Sequence, residues 1–184
     1  MTYLFKRLIA SAMLIVTLTA CGGSTPPEDT LQTYQGDHFT ISVPKEWEVL
    51  TRSDFFADIP QQALVAFTSP EGYDGFFLNI SVLGEDLNQA VSSIDYGRAN
   101  INLANQNVVD YEKIQEATLD VGEQKALVHI FHGRLNPSEK LIRFVQMYVT
   151  SGEMGYVVSA GMLPDTPKDI RDQIGAAVTS FRLQ

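Results

Sequence analysis

The chain has 184 residues, of which 45% are hydrophobic and 19% charged, a composition typical of a globular protein and not of a disordered chain or one that spans a membrane many times. Apart from Lys6 and Arg7, its first 20 residues are uncharged, so the rest carries 11 basic and 22 acidic side chains and a net charge of −11. Such a surface repels phosphate backbones, which argues against nucleic-acid binding, and a single cysteine excludes an internal disulfide.

The first predicted element is a lipoprotein signal peptide, residues 1–20. A short basic start is followed by 13 uncharged residues, 8–20, the length of a secretory apolar segment and too short for a spanning helix, which needs about 20. Small residues then precede the only cysteine, in the order Leu18, Thr19, Ala20, Cys21. This motif resembles the bacterial lipobox, in which a peptidase cuts before the cysteine and the thiol receives diacylglycerol.

Acylation of Cys21 would anchor the protein to a membrane, because two or three acyl chains such as palmitate bind a bilayer stably. The next residues, Gly22 and Gly23, are not aspartate, which by resemblance to lipoprotein sorting favours the outer membrane facing the periplasm in a Gram-negative host. Two alternatives remain open, a secretory peptide that contains a cysteine by chance and a membrane-anchoring helix. Residues 21–35 are polar and predict a flexible tether, followed by one domain over 36–184.

Strands dominate the first half of this domain. Apolar and polar residues alternate in 38–44 and 76–83, which predicts half-buried strands. Shorter strands are predicted at 46–51, which contains Trp47, and at 63–70. Glycines and an aspartate predict a turn or loop at 71–75. The apolar period then changes to that of a helix over 86–107, with Asp86 and Gln89 as a capping box and Gly97 allowing close approach to the sheet.

The second half repeats the pattern of several strands and then a helix. Four strands are predicted at 108–119, 123–134, 140–151 and 153–163, the first as a polar edge and the next two as central strands covered on both faces. A last helix is predicted with Thr166 as its N-cap and Pro167 at its first position. Short connections between strands indicate an antiparallel meander, and two helices to cover it indicate a layered sandwich.

Three stretches in this order resemble the PsbP-like and DcrB-like superfamily: FTISVPKEWEV, FFLNISVL and GYVVSAGM, followed by a helix that ends in SF. The resemblance implies an α+β fold with an antiparallel β-sheet flanked by helices, an α/β/α sandwich. Members are generally non-catalytic, among them photosystem subunits, envelope lipoproteins and chaperones. The resemblance therefore implies a lipid-anchored cell-envelope protein, not an enzyme, that binds another protein in assembly or maintenance; the alternative is an envelope protein that binds a small ligand or divalent metal.

No catalytic set or cofactor motif stands out. His129 and His132 have metal-ligand spacing for a helix, but on a strand an odd separation places them on opposite faces, so we predict no shared metal site. The chain lacks a nucleophile elbow and a phosphate loop, and Ser159 has no evident base partner. Acidic pairs occur in two loops, Asp54 with Asp58 and Glu71 with Asp74, and we interpret them as solvated carboxylates and not as metal ligands.

One loop is unusually aromatic. Residues 53–60, SDFFADIP, place Phe55 and Phe56 between two predicted strands, and Tyr73 stands in the loop 71–75. One interpretation is that the loop folds its aromatic side chains into the core, since large exposed apolar groups are uncommon on monomers. The other is that Phe55, Phe56 and Tyr73 form a contact patch for an unidentified envelope partner.

Overall fold

A computed structural model describes residues 30–55 and 60–184 of the chain. These residues form one antiparallel sheet of seven strands, one of three strands, and two helices. In chain order the elements are β1 (Leu31–Gln35), β2 (Phe39–Pro44), β3 (Glu48–Thr51), β4 (Ala63–Tyr73), β5 (Phe76–Asp86), α1 (Ser93–Asn107), β6 (Val109–Val121), β7 (Gln124–Arg134), β8 (Ile142–Ser151), β9 (Met154–Met162), α2 (Lys168–Thr179) and β10 (Arg182–Leu183).

The large sheet has the strand order β3-β4-β5-β9-β8-β7-β6, and every neighbouring pair is antiparallel. One face packs against α2 and the small sheet, which has the order β1-β2-β10, and this contact forms the main core. The other face carries α1 over a smaller cluster around Tyr96, Leu127 and Tyr148. The predicted α+β fold, an antiparallel sheet flanked by helices, is confirmed, and the small sheet adds a part that the sequence analysis did not predict.

The small sheet corrects the predicted tether. Residues 31–35, which we assigned to a tether over 21–35, form β1 and pair with β2 from Leu31↔Pro44 to Gln35↔Thr40. Tyr34 anchors this strand, because its ring meets Phe67 edge to face at 5.4 Å. The start of the predicted tether, Cys21, the motif Leu18, Thr19, Ala20 and the predicted signal peptide lie outside the described residues.

The start of α1 differs from the prediction. β5 continues through Asp86, so the proposed capping box of Asp86 and Gln89 is wrong. The N-cap is Ser92, whose hydroxyl accepts a hydrogen bond from the backbone N–H of Asp95 at 3.1 Å. Gly97 does lie against the sheet as predicted, since a Cβ there would stand 2.9 Å from the Cβ of Leu127.

The start of α2 also differs. The N-cap is Pro167 and makes no side-chain capping bond, so the prediction of Thr166 as N-cap is wrong. Thr166 is fully buried, and its hydroxyl has no hydrogen-bond partner among the described residues. The buried helix residues are Ile174, Ala177 and Val178, which fall on one face at helical spacing.

Two turns are tighter than predicted. Trp47 precedes β3 and is held in a turn by the bond from its N–H to the carbonyl of Pro44 (3.1 Å), with its ring in the main core. The loop predicted at 71–75 shrinks to a two-residue hairpin turn, Asp74 and Gly75, and both have positive φ angles (47° and 71°). Within the described ranges, neither helix is long and apolar enough to cross a bilayer.

Candidate functional site

Within residues 30–55 and 60–184, no element covers about half of one face of the large sheet. α1 packs chiefly against β7 and β8 on this face. A helix is about 10 Å in diameter and neighbouring strands are about 4.8 Å apart, so one helix covers about two strands of seven. Among the described residues, the α1-side face of β3, β4 and β5 therefore remains accessible, and we call it the open face. Tyr96 of α1 covers part of the same face of β9, at Gly155 and Val157.

Apolar side chains supply much of this face. Leu50, Ala66 and Leu83 point to it from three neighbouring strands and are only half-buried. Phe77 of β5 points to the same side and is 56% exposed. An apolar group that remains in water forgoes about 25 cal/mol per Å² relative to burial. A partner that covers the open face would therefore be bound with a favourable free energy from apolar burial.

A depression of 820 Å³ lies on the open face. It falls in the size range of binding clefts, about 300–1,000 Å³. Apolar residues line most of it, and polar side chains stand among them; the lining includes Glu48, Leu50, Asp54, Phe55, Pro60, Ala66, Asn79, Ser81 and Leu83. A surface with this mixture can bind an apolar group and orient it through a few hydrogen bonds.

A polar row crosses the sheet from the open face toward α1. Ser81 pairs with Ser159, and Ser159 pairs with Gln146 on the next strand. The amide of Gln146 donates to the Ser159 hydroxyl at 3.1 Å, and its carbonyl accepts a hydrogen bond from the hydroxyl of Tyr148. This network fixes the side chain of Gln146 at the border of α1, which gives the open face a rigid polar edge.

Two carboxylates contribute negative charge at the rim of the depression. Asp54 accepts hydrogen bonds from the backbone N–H (2.8 Å) and hydroxyl (2.7 Å) of Thr51, and these bonds lower the pKa of the Asp54 carboxyl. Glu48 stands at the start of β3 and also lines the depression. The open face therefore favours a partner that is apolar at its centre and carries positive charge at its edge.

The three predicted contact residues do not form one patch. Phe55 is half-buried and lines the depression on the open face. Tyr73 packs against the main core on the other side of the sheet, and its hydroxyl donates to the carbonyl of Asp165 at 3.3 Å. Phe56 lies outside the described residues. Phe77, which lies in the alternating strand predicted at 76–83, is the most exposed aromatic residue of the open face. That alternation was the available signal for its side of the sheet.

The two histidines of β7 face opposite sides, as predicted. His129 is fully buried, stacks on Phe131 at 4.6 Å and shares a 2.9 Å hydrogen bond with the hydroxyl of Tyr111. Burial lowers the pKa of His129 to about 4 against an opposing effect of Glu116. His132 lies on the α2 side, and its Nδ1 is 3.5 Å from Glu112. The pair therefore shares no metal site.

A serine–histidine pair is also ruled out by geometry. His129 pairs with Gln146, and Gln146 pairs with Ser159, so one strand separates the two side chains. Two strand spacings amount to about 10 Å, far beyond hydrogen-bond reach between a nucleophile and its base. Across the part of the chain that the structure describes, no three histidines or carboxylates group as metal ligands. Asp74 is instead paired with Lys140 at 2.9 Å, and Asp58 lies outside the described residues.

Comparison with known proteins gives a fold. No family model matches the sequence, and no curated protein is similar to it in sequence. A solution structure of the cyanobacterial PsbP protein (CyanoP) of Synechocystis matches with a TM-score of 0.61 and 16% identity, over 91% of this chain and 99% of that one. LpqN, described as involved in cell envelope biogenesis of Mycobacterium tuberculosis, matches with a TM-score of 0.61 and 12% identity over 79% and 83% of the two chains.

The Ran-binding protein Mog1p of Saccharomyces cerevisiae matches with a TM-score of 0.55 and 11% identity, over 83% of this chain and 95% of that one. At these identities the likeness concerns the fold alone. The chain has a PsbP-like fold, as the sequence motifs indicated.

Proposed function

Because the chain has a PsbP-like fold, we propose that it is a lipid-anchored, non-catalytic protein of the bacterial cell envelope that binds another protein through the open face. The observation that carries the proposal is the apolar half-face of the large sheet, which no element of the described chain covers. A fold alone assigns no function, so the proposal depends on this face and on the amino-terminal motif.

The membrane part of the proposal is supported by the sequence. Cys21 follows a basic start, an apolar segment and small residues in the arrangement of a lipobox. The acidic body of the protein has no attraction to anionic lipid headgroups, so acyl chains on Cys21 supply the anchor. With Gly22 after the cysteine, we place the protein at the outer membrane facing the periplasm in a Gram-negative host. The likeness in fold to LpqN, described as involved in cell envelope biogenesis, agrees with this location.

The binding part is supported by the chemistry of the open face. Protein interfaces have an apolar centre, in which aromatic residues are enriched, and a polar rim. Phe77, Leu50 and Leu83 supply apolar surface, and Glu48 and Asp54 supply a charged rim. Interfaces of this kind derive most of their binding energy from a few apolar anchors. Phe77 is the anchor that we assign here.

Paired substitutions of equally exposed residues test the proposal. Phe77 and Leu103 are both 56% exposed, but Leu103 lies on α1, away from the open face. We expect Phe77→Ser to weaken the capture of the partner from solubilised membranes at least tenfold, because truncation of an anchor costs 2 kcal/mol or more, roughly. Leu103→Ser should leave capture unchanged. Equal capture by both variants and the original protein would refute the role of the open face.

A second function is favoured by the depression of 820 Å³, which would also hold a small apolar ligand. Ala66 is half-buried and lines this depression, so Ala66→Trp would fill it. Native mass spectrometry of the protein taken from its host membrane should then show a bound ligand in the original protein and none in the variant. If both carry the same mass as the bare chain, this second function is excluded.

A further inference from the structure

A second cavity lies on the opposite, α2-side face of the large sheet. It has a volume of 480 Å³, within the size range of binding clefts, about 300–1,000 Å³. Residues 34–39, which include the turn between β1 and β2, line one side of it. The pairs Gly84↔Tyr156 and Asp86↔Met154 of β5 and β9 line its floor. Because Tyr156 belongs to the main core, the cavity is on the face that the small sheet covers, and we call it the turn cavity.

The wall that the small sheet provides is held in place by hydrogen bonds and ring packing. The N–H of Gly36 donates to the carbonyl of Phe39 at 2.9 Å, and the N–H of Gln184 donates to the carbonyl of His38 at 3.0 Å. A Cβ on Gly36 would collide with the ring of Phe39, so glycine lets the turn lie directly on this ring. The Phe39 ring stacks in turn on Phe181 at 5.2 Å. The wall is therefore formed before any ligand arrives, which lowers the cost of binding.

The floor contains a buried hydroxyl group without a partner. Tyr156 is only 4% exposed, and its ring packs against Phe39 and Phe181 at 6.2 and 5.6 Å. A buried tyrosine hydroxyl usually makes a hydrogen bond, as that of Tyr96 does to Glu85 at 3.0 Å. The described residues provide no such partner for Tyr156. Burial raises the pKa of Tyr156, so its hydroxyl stays neutral.

The oxygen of Tyr156 is reachable from the turn cavity. Among the described residues, the side-chain polar atoms that are both sealed from solvent and without a partner are Nδ1 of His129 and the hydroxyl of Thr166. The Tyr156 oxygen is not one of them, although it also lacks a partner, so it is in contact with solvent through the cavity that Tyr156 lines. A ligand in this cavity can therefore supply the missing hydrogen bond.

The turn cavity also has apolar surface that a ligand can cover. Leu64, beside the bulge of β4, lines the cavity and is 40% exposed. It lies over Gly84, where a Cβ would stand 2.9 Å from its Cδ1. Met154 contributes a flexible apolar side chain from the floor. An apolar group that occupies the cavity would remove this surface from water.

Carboxylates give the cavity a negative character. Asp86 is two residues beyond Gly84 on the same face of β5, so it is a diagonal neighbour of Tyr156, with their Cβ atoms about 7–8 Å apart. Asp37 adds a second carboxylate from the turn of the small sheet. The guanidinium of the lining, that of Arg52, donates to two backbone carbonyls, one of them at 3.1 Å. Two carboxylates face one guanidinium in a strongly acidic chain, so the cavity favours a cation.

We propose that the turn cavity binds a small molecule that has a primary ammonium group and an apolar body. An ammonium group has three N–H donors and no acceptor, which suits the hydroxyl of Tyr156 and the carboxylates of Asp86 and Asp37 as acceptors. The rings of Tyr34 and Phe39 line the same cavity, and aromatic rings attract cations. The cavity is on the opposite side of the sheet from the open face, so this site stands or falls independently of the proposed function.

Thermal unfolding of the full-length protein tests the site with 2-phenylethylammonium chloride as the probe. A ligand that binds only the native state raises the Tm, and at ten times its Kd the rise is about 3–6 °C for a domain of this size. Two comparison compounds each lack one part of the probe: 2-phenylethanol lacks the charge, and methylammonium lacks the apolar body. At equal concentration and ionic strength we expect the rise with the probe alone. No rise with the probe, or an equal rise with either comparison compound, would overturn the proposal.

Two substitutions remove the groups that accept the ammonium. Tyr156→Phe keeps the ring in the core and removes an unpartnered hydroxyl, so it should not lower the Tm of the free protein. Asp86→Asn removes one exposed carboxylate. Each should raise the Kd of the probe about tenfold, since a hydrogen bond to a charged group contributes that much to affinity.

Matched controls remove the same groups beyond the far end of β9. The hydroxyl of Tyr73 donates to the backbone carbonyl of Asp165, and both residues lie outside the turn cavity. Tyr73→Phe and Asp165→Asn should bind the probe as the original protein does. Equal affinity in Tyr156→Phe and Tyr73→Phe, or in Asp86→Asn and Asp165→Asn, would refute the assigned acceptors.

Methionine methyl NMR of the original protein locates the probe without a variant. Met154 lines the turn cavity, whereas Met147 and Met162 are fully buried outside its lining. The aromatic ring of the probe should therefore shift the methyl signal of Met154 and leave those of Met147 and Met162 in place. An unchanged Met154 signal at saturating probe would exclude the turn cavity as the binding site.

Discussion

At the scale of single residues, His129 shows what a sequence can and cannot reveal. Its place on β7 and its side of the sheet follow from strand alternation, because His129 and His132 are an odd number of residues apart. Its complete burial does not follow, since Tyr111, its hydrogen-bond partner, comes from β6 and the pairing register of that strand contains two irregularities. Burial by a neighbouring strand is a tertiary effect that no local pattern encodes.

The buried histidine predicts a pH dependence of stability. Burial lowers the folded-state pKa of His129 to about 4, below the value of about 6.5 for an unfolded histidine. Between these values the unfolded state binds more protons, so the free energy of unfolding should fall as pH falls from 6.5 toward 4, by on the order of 3 kcal/mol. Urea unfolding at a series of pH values measures this loss.

The substitution His129→Phe should flatten that dependence between about pH 6.5 and 5, where few carboxylates titrate. His38 is exposed at the start of β2, and His38→Gln serves as the control that keeps the original slope. A slope that is identical in the original protein and in His129→Phe would contradict the assignment.

At the scale of elements, the long strands and both helices could be predicted from the sequence, but the short strands β1 and β10 could not. The alternation of Phe39, Ile41 and Val43 identified β2, and the stripe of Ile174, Ala177 and Val178 identified α2. β10 has two residues, too few to show any period, and β1 is stabilised by its pairing with β2. Such short edge strands exist because a partner strand offers hydrogen bonds.

The contact of α1 with the sheet predicts opposite effects for two glycines. A Cβ on Gly97 would lie 2.9 Å from the Cβ of Leu127 and 3.2 Å from that of Tyr148, so Gly97→Ala should destabilise the protein by about 1–3 kcal/mol. Gly175 of α2 has no atom within 4 Å of that position, so Gly175→Ala should stabilise by up to about 1 kcal/mol. Urea unfolding measures both, and a neutral or stabilising Gly97→Ala would refute the close packing of α1.

At the scale of the whole molecule, the way in which other elements cover the large sheet explains why the candidate site could not be predicted from the sequence. On the α2 side, a helix and three strands together cover the large sheet, whereas α1 alone covers part of the other side. Phe77 and Leu83 belong to a strand whose alternation is visible, but the lack of a covering element depends on where the chain places α1. The sequence therefore indicated aromatic contact residues but not the face of the sheet on which each one lies. It grouped Phe55 with Tyr73, although Tyr73 lies on the other side of the sheet.

Membrane attachment of the whole molecule is expected to depend on acylation of a single atom, the sulfur of Cys21. If acyl chains on Cys21 are the anchor, Cys21→Ser should move the protein from the membrane fraction to the soluble fraction, since its acidic surface has no attraction for anionic lipids. Fractionation after a high-salt wash measures this, with Ser24→Ala as a neighbouring control that stays attached. Persistence of Cys21→Ser in the washed membranes would exclude the lipid anchor.

Site-specific photocrosslinking in living cells tests the central claim most directly. A photoreactive residue placed at Phe77 reports on the open face, and the same residue at Leu103, equally exposed on α1, reports on a surface outside it. We expect one discrete crosslinked protein of constant mass from position 77 and none from position 103. No crosslink from position 77, or the same products from both positions, would contradict the claim that the open face is where this protein binds its partner.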